Sequence, residues 1–164
     1  MDNLDILNAN LVEELQRFWR GNTSPRIIII GVGRSMRGDE HIGLLVADEL
    51  EKMTPNKTMV IRAEDRPENY TDKIRSYNPT HIIYMLASRS GLKPGETKLI
   101  TLEEHTNLSL HESPLTTLNH YLSAFLNIQT RLLLIEPRTE FGSPTSGLRK
   151  TAKKIALQIF QSLP

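Results

Sequence analysis

Residues 27–50 read IIIIGVGRSMRGDEHIGLLVADEL. Four isoleucines in succession, with no polar alternation, predict a strand buried on both faces, the pattern of a central parallel strand. Arg26 to Gly31 is read as that strand. His41 to Met53, with Ile42, Leu45, Val46, Leu50 and Met53 on one stripe, is read as a helix. Between them lie two spaced glycines, arginines, and the adjacent acids Asp39 and Glu40. A strand that runs through glycines into a helix is the setting of a phosphate-binding loop, but the spacing does not follow. G-x-G-x-x-G needs glycine at Met36, and the Walker pattern needs lysine and a hydroxyl residue after Gly38, where Asp39 and Glu40 stand. Two carboxylates at a helix start also repel phosphate. The plainer expectation is that Asp39 caps a helix beginning near Glu40, that Glu40 complements its dipole, and that the turn from Gly31 to Gly38 binds no phosphate.

Outward from this stretch the pattern repeats. Leu7, Leu11, Leu15 and Phe18 recur at helical spacing, so Ile6 to Arg20 is an amphipathic helix that stops at GNTSP. Thr58 to Ala63 is a second strand, Glu68 to Tyr77 a helix, and His81 to Ala87 a third strand, apolar almost throughout. After a turn at Gly91, Pro94 and Gly95 come a short strand, Thr97 to Thr101, a helix, Leu115 to Leu126, a buried strand, Arg131 to Glu136, and a closing helix, Ser146 to Leu163. Alternation of strand and helix predicts an α/β fold: one three-layer α/β/α domain over residues 1–164, with a mostly parallel twisted central sheet. Residues 1–25 form an N-terminal helical extension.

Composition limits the partners. The chain has 164 residues, with 20 Lys and Arg against 19 Asp and Glu. A net charge of +1 gives no broad reason to expect nucleic acid or an anionic membrane. Without cysteine there is no thiolate metal site or cysteine nucleophile, so any metal must be held by His and carboxylates. No secretion signal or membrane span is visible, and the cytoplasm is the expected compartment.

GVGRSMRGDEHIG resembles the N-terminal motif of the hydrogenase maturation proteases, G-x-G-N-x-x-x-G-D-(D/E)-G-x-G. The resemblance continues through RPENYTDKIRSYNPTHIIYM, ASRSGLKPGE, LHESPL and LIEPRTEFGSPTSGLRKTAKKIA, so it covers Arg26 to the C-terminus in order. It implies a twisted sheet between helix layers. It also implies an endopeptidase step that removes a short C-terminal peptide from the large subunit of a nickel–iron hydrogenase after nickel insertion. The implied metal-facing and catalytic residues are Glu40 and His111, acting on nickel supplied by the precursor, with the hydrogenase large subunit or a homologue as partner. A noncatalytic chaperone or assembly factor for such a subunit is the alternative.

The third position of the implied trio does not match. Leu86 stands where the family has aspartate, Arg89 and Arg62 replace two further aspartates, Arg34 replaces asparagine, and His41 replaces glycine. Loss of an oxygen ligand beside new arginines predicts weak divalent-metal binding by the isolated protein and puts catalysis in doubt. Glu64, Asp65 and His41 are the candidates to replace the missing ligand. His81, His105 and His120 are read as surface or helix-end residues, Ser88 and Ser90 as turn residues, and Arg149, Lys150, Lys153 and Lys154 as a solvated helix face.

Overall fold

The computed structural model describes residues 3–35, 37–53, 57–104, 114–139 and 142–164. Its strands are β1 (Ile27–Gly31), β2 (Thr58–Arg62), β3 (His81–Ala87), β4 (Thr97–Ile100) and β5 (Gln129–Ile135). Its α-helices are α1 (Asn3–Trp19), α2 (Ile42–Glu51), α3 (Thr71–Tyr77), α4 (Pro114–Ser123) and α5 (Leu148–Ser162).

The strands form one sheet in the order β2-β1-β3-β5-β4. The first four neighbours run parallel, and β4 returns antiparallel along β5. The expected mostly parallel sheet is thus present, with its four long strands side by side.

Side-chain alternation along these buried strands divides the core in two. Ile27, Ile29, Ile83, Met85, Leu133 and Ile135 pack on one face with α1, α2 and α5. Ile28, Ile30, Ile61, Ile82, Tyr84, Leu132 and Leu134 pack on the other with α3 and α4. Period-two side chains on a strand covered by helices on both sides make every position apolar, which is why the isoleucine run carries no alternation. The N-terminal helix belongs to this layering: Leu11, Leu15, Phe18 and Trp19 are buried in the first cluster. The Trp19 indole N–H reaches Ser162 Oγ at 3.3 Å, tying α1 to the end of α5.

Two helix starts differ from the sequence reading. Gly38–His41 and Pro67–Tyr70 are 3-10 turns that lead into α2 and α3. Tight turns of this kind are frequent at helix entries, where the first N–H groups lack intrahelical partners. His81 also differs: it is 1% exposed. Its ring meets those of Phe18 and Trp19 edge-on at 4.9 and 5.5 Å, because its strand is covered there by α1. His120 is exposed near the end of α4, as expected, and His105 lies outside the described residues.

Candidate functional site

The parallel strands bring their C-terminal ends to one edge. Gly31 pairs in register with Arg62 on one side and Met85 on the other, and Leu86 with Leu134. The chain leaves β1 for β2, then crosses back over β1 to enter β3, so the connections part between β1 and β3. Ligands of open α/β sheets bind at such a point. A cleft of about 190 Å³ opens there, lined by Val32, Gly33, Arg34, Glu40, Asp65, Leu86 and Ala87.

The glycines that begin this stretch serve packing. A side chain at Gly33 would run into the Glu40 carbonyl. One at Gly43 would stand 2.5 Å from the Met85 carbonyl and 2.6 Å from that of Val32. Turn and helix therefore press directly on the ends of β1 and β3, which carries Glu40 to the cleft.

Asp39 is not a helix cap. The residue before the turn is Arg37, and no side chain caps it. Asp39 is 2% exposed. Its carboxylate accepts hydrogen bonds from Thr145 N at 2.7 Å, Thr145 Oγ1 at 2.8 Å and Arg138 N at 3.0 Å. Its own N–H donates to the Thr139 carbonyl at 3.0 Å, and Gly38 N–H to that of Gly142 at 2.9 Å. Placing Asp39 inside the 3-10 turn, rather than ahead of it, directs its carboxylate to the segment after β5. Burial alone would raise its pKa, but the hydrogen bonds from Thr145 and Arg138 outweigh it and hold the carboxyl below its ordinary value. Nothing local in the sequence signals these partners, so Thr145 and Arg138 escaped the sequence reading. Glu136, buried at the end of β5, accepts from Ser90 N at 2.7 Å and Ser90 Oγ at 3.1 Å, so Ser90 holds the turn after β3.

Glu40 and Leu86 line the same cleft, as the resemblance implies. Leu86 is partly buried against the core and makes that wall apolar. The Glu40 carboxylate makes no hydrogen bond or salt bridge to another described residue. His111 lies outside the described residues.

The neighbouring acids are paired with arginines. Arg34 Nε meets Asp65 at 3.2 Å, and Arg62 Nε meets Asp48 of α2 at 3.0 Å. Arg62 Nη1 pairs with Glu64, whose other oxygen accepts from Ser35 Oγ at 3.3 Å. His41 is half-buried with its Nδ1 unpartnered among the described residues. Burial first, then the charge of Arg62, depresses its pKa against the opposing pull of Asp48 and Glu64. No three His, Asp or Glu among the described residues are placed to hold a metal. The described donors therefore do not fit a resident nickel ion: Glu40 offers an oxygen, Leu86 none, and Glu64 and Asp65 are committed to arginines.

Fold and cleft together define a three-layer α/β architecture with a cleft at the C-terminal ends of its parallel strands. No family model matches the chain. It is 28% identical over 123 residues to a protein of Methanocaldococcus jannaschii that carries the name of a hydrogenase maturation protease, covering 69% of this chain and 73% of that one. It is 32% identical over 94 residues to the hydrogenase 3 maturation protease of Escherichia coli K12, covering 56% and 60%. The structure of the nickel–iron hydrogenase maturation protease HycI from Thermococcus kodakarensis KOD1 superposes with a TM-score of 0.79 at 26% identity, over 92% of this chain and 98% of that one. In sequence and in fold the chain is thus similar to the hydrogenase maturation proteases.

Proposed function

We propose that this protein processes the C-terminus of a hydrogenase-like large-subunit precursor in the cytoplasm, as a peptide-bond hydrolase. The single observation that carries the reading is the placement of Glu40. It is a carboxylate without a described protein partner, in a cleft at the sheet's switch point, in a fold that superposes on HycI. In this reading an extended client segment lies across the strand ends, its apolar side chain against Val32, Leu86 and Ala87. Glu40 accepts a proton from the attacking water or a hydrogen bond from the client, as a carboxylate within reach of the reacting atoms can. His111 is the second polar group of the proposed site. Nickel, where the client carries it, arrives as cargo and is not counted among this chain's own parts.

Leu86 favours a second reading, a relative that binds the large subunit as a chaperone or assembly factor without cutting it. An apolar side chain in the cleft retains a surface for the client while removing one oxygen donor. One assay separates the two. The protein is incubated with a nickel-loaded precursor from its own genome, and the precursor's mass and its retention on the immobilised protein are followed. Loss of a C-terminal peptide, abolished in Glu40→Gln, supports processing. Retention without shortening supports the assembly role, and neither outcome overturns both.

A further inference from the structure

The outer face of α5 carries two kinds of exposed group, sorted along the helix axis. Arg149, Lys150 and Lys153 stand exposed in its first half, and Leu157 and Phe160 protrude from its second, 48% and 37% exposed. At 3.6 residues per turn these five fall on one face, opposite the buried Ala152, Ile155 and Ile159.

The cations do not serve the helix. Positive charge near a helix N-terminus opposes the macrodipole. Gly147 precedes α5 without a side-chain cap, the first turn holds no acid, and no Asp or Glu occurs anywhere along the helix. Arg149, Lys150 and Lys153 make no salt bridge to another described residue. A row of like charge held at the unfavourable end calls for anions from outside the chain.

α5 also starts at the right edge of the molecule. The Leu148 N–H bonds the Thr145 carbonyl, and Thr145 donates to Asp39, which adjoins Glu40 in sequence. The cationic half of the helix therefore begins at the strand-end edge that holds the cleft, while Leu157 and Phe160 lie toward the far end, where Trp19 meets Ser162. The cleft itself is small: seven residues line about 190 Å³, whereas a specific protein partner engages about 20–30 residues on each side.

We infer that the outer face of α5 is a second docking surface for the client subunit, one that takes a patch of carboxylates against Arg149, Lys150 and Lys153 and apolar side chains against Leu157 and Phe160. The inference rests on the proposed handling of a large-subunit precursor and adds the chemistry by which the body of that client is held. A lipid surface fits less well. Helices that lie in a membrane interface submerge a broad apolar face flanked by cations, but the broad apolar face of α5 is buried in the core, and on its outer face the charge changes along the axis.

The test measures retention of two probes on the immobilised full chain: the nickel-loaded precursor, and the same subunit already lacking its C-terminal peptide. Wild type is compared with two double variants, Lys150→Glu with Lys153→Glu, and Leu157→Ser with Phe160→Ser. Each double variant is expected to hold the shortened subunit about tenfold more weakly. Added salt is expected to weaken wild type but not the charge-reversed protein. The Tm of the charge-reversed protein is expected to rise, because a carboxylate at position 150 lies in the first turn and favours the dipole. Weaker docking together with a more stable fold is a result that a structural role for these lysines does not give. Equal retention by wild type and both double variants overturns the inference, as does capture of vesicles of phosphatidylcholine and phosphatidylserine with the same dependence on α5 while the subunit is indifferent to it. The processing reading fails separately: a precursor held through α5 but never shortened removes the cut and leaves the docking surface standing. A wild-type chain that holds neither probe overturns both.

Discussion

Asp39 and Thr145 are joined twice: the backbone N–H and the hydroxyl of Thr145 donate to the two oxygens of one buried carboxylate, at 2.7 and 2.8 Å. The Arg138 N–H adds a third bond. Removing the acceptor leaves these part-buried donors without their charged partner, beside a cavity of about 70 Å³ that Asp39, Arg138 and Thr145 line. Asp39→Ala is expected to destabilise the fold by about 3 kcal/mol. Asp39→Asn, which turns one acceptor into a donor, is expected to cost about 2 kcal/mol. Denaturant unfolding of both variants gives the comparison, and an unchanged midpoint would show the clamp to be incidental.

Leu86→Asp returns an oxygen donor to the cleft that Glu40 lines. Its Ni²⁺ affinity is expected to exceed that of wild type by about tenfold or more. Calorimetry decides. No gain would mean that Arg34, on the rim of the same cleft, captures the new carboxylate first.

His81 supplies a pH dependence. Burial first, then the charge of Arg131, pushes its pKa below the ordinary value of 6.5, against the opposing effect of the Phe18 carbonyl. Below 6.5 the unfolded chain therefore takes up a proton that the folded chain refuses. Stability is present above the unfolded pKa and falls as pH drops from 6.5 toward the folded value. In His81→Phe, which keeps the ring contacts with Phe18 and Trp19, the slope of Tm against pH is expected to flatten in that window. An unaltered slope would assign the dependence to another group.

Tyr84 lies fully buried in β3, and its hydroxyl has no hydrogen-bond partner among the described residues. Burial alone pushes its pKa far up. Deleting an unsatisfied buried hydroxyl while keeping the ring removes a desolvation cost. Tyr84→Phe is therefore expected to gain about 1 kcal/mol, or about 2–4 °C in Tm. A thermal melt checks it, and a lowered Tm would reveal a partner for the hydroxyl.

Trp19 is 3% exposed and lodged against α5. Trp19→Ala is expected to cost about 3–5 kcal/mol, the usual penalty for emptying a large aromatic site. Limited proteolysis should then cut within α1 before the sheet is attacked.

The fold was legible because its core strands advertise themselves. Ile27 to Ile30 and Ile82 to Met85 must be apolar on both faces, and that requirement is written residue by residue. Glu40 and Leu86 were legible as neighbours through motif position alone. The fate of Asp39 was not, since its acceptor oxygens are satisfied from residues 138 and 145, and local capping rules see only the next turn. The burial of His81 was hidden for a related reason: a helix far back in the chain returns to cover it. Nor could spacing show that Arg62 would turn to Asp48 on α2, a contact made across elements.

The Asp39 clamp also gives the molecule a direction in time. During synthesis the turn that bears Asp39 and Glu40 emerges early, but the groups that satisfy Asp39 emerge only after β5 has been made. Until then the carboxylate can be buried only at the expense of an unanswered charge. The turn that carries Glu40 to the cleft therefore has its buried acid satisfied only once the segment after β5 has joined it.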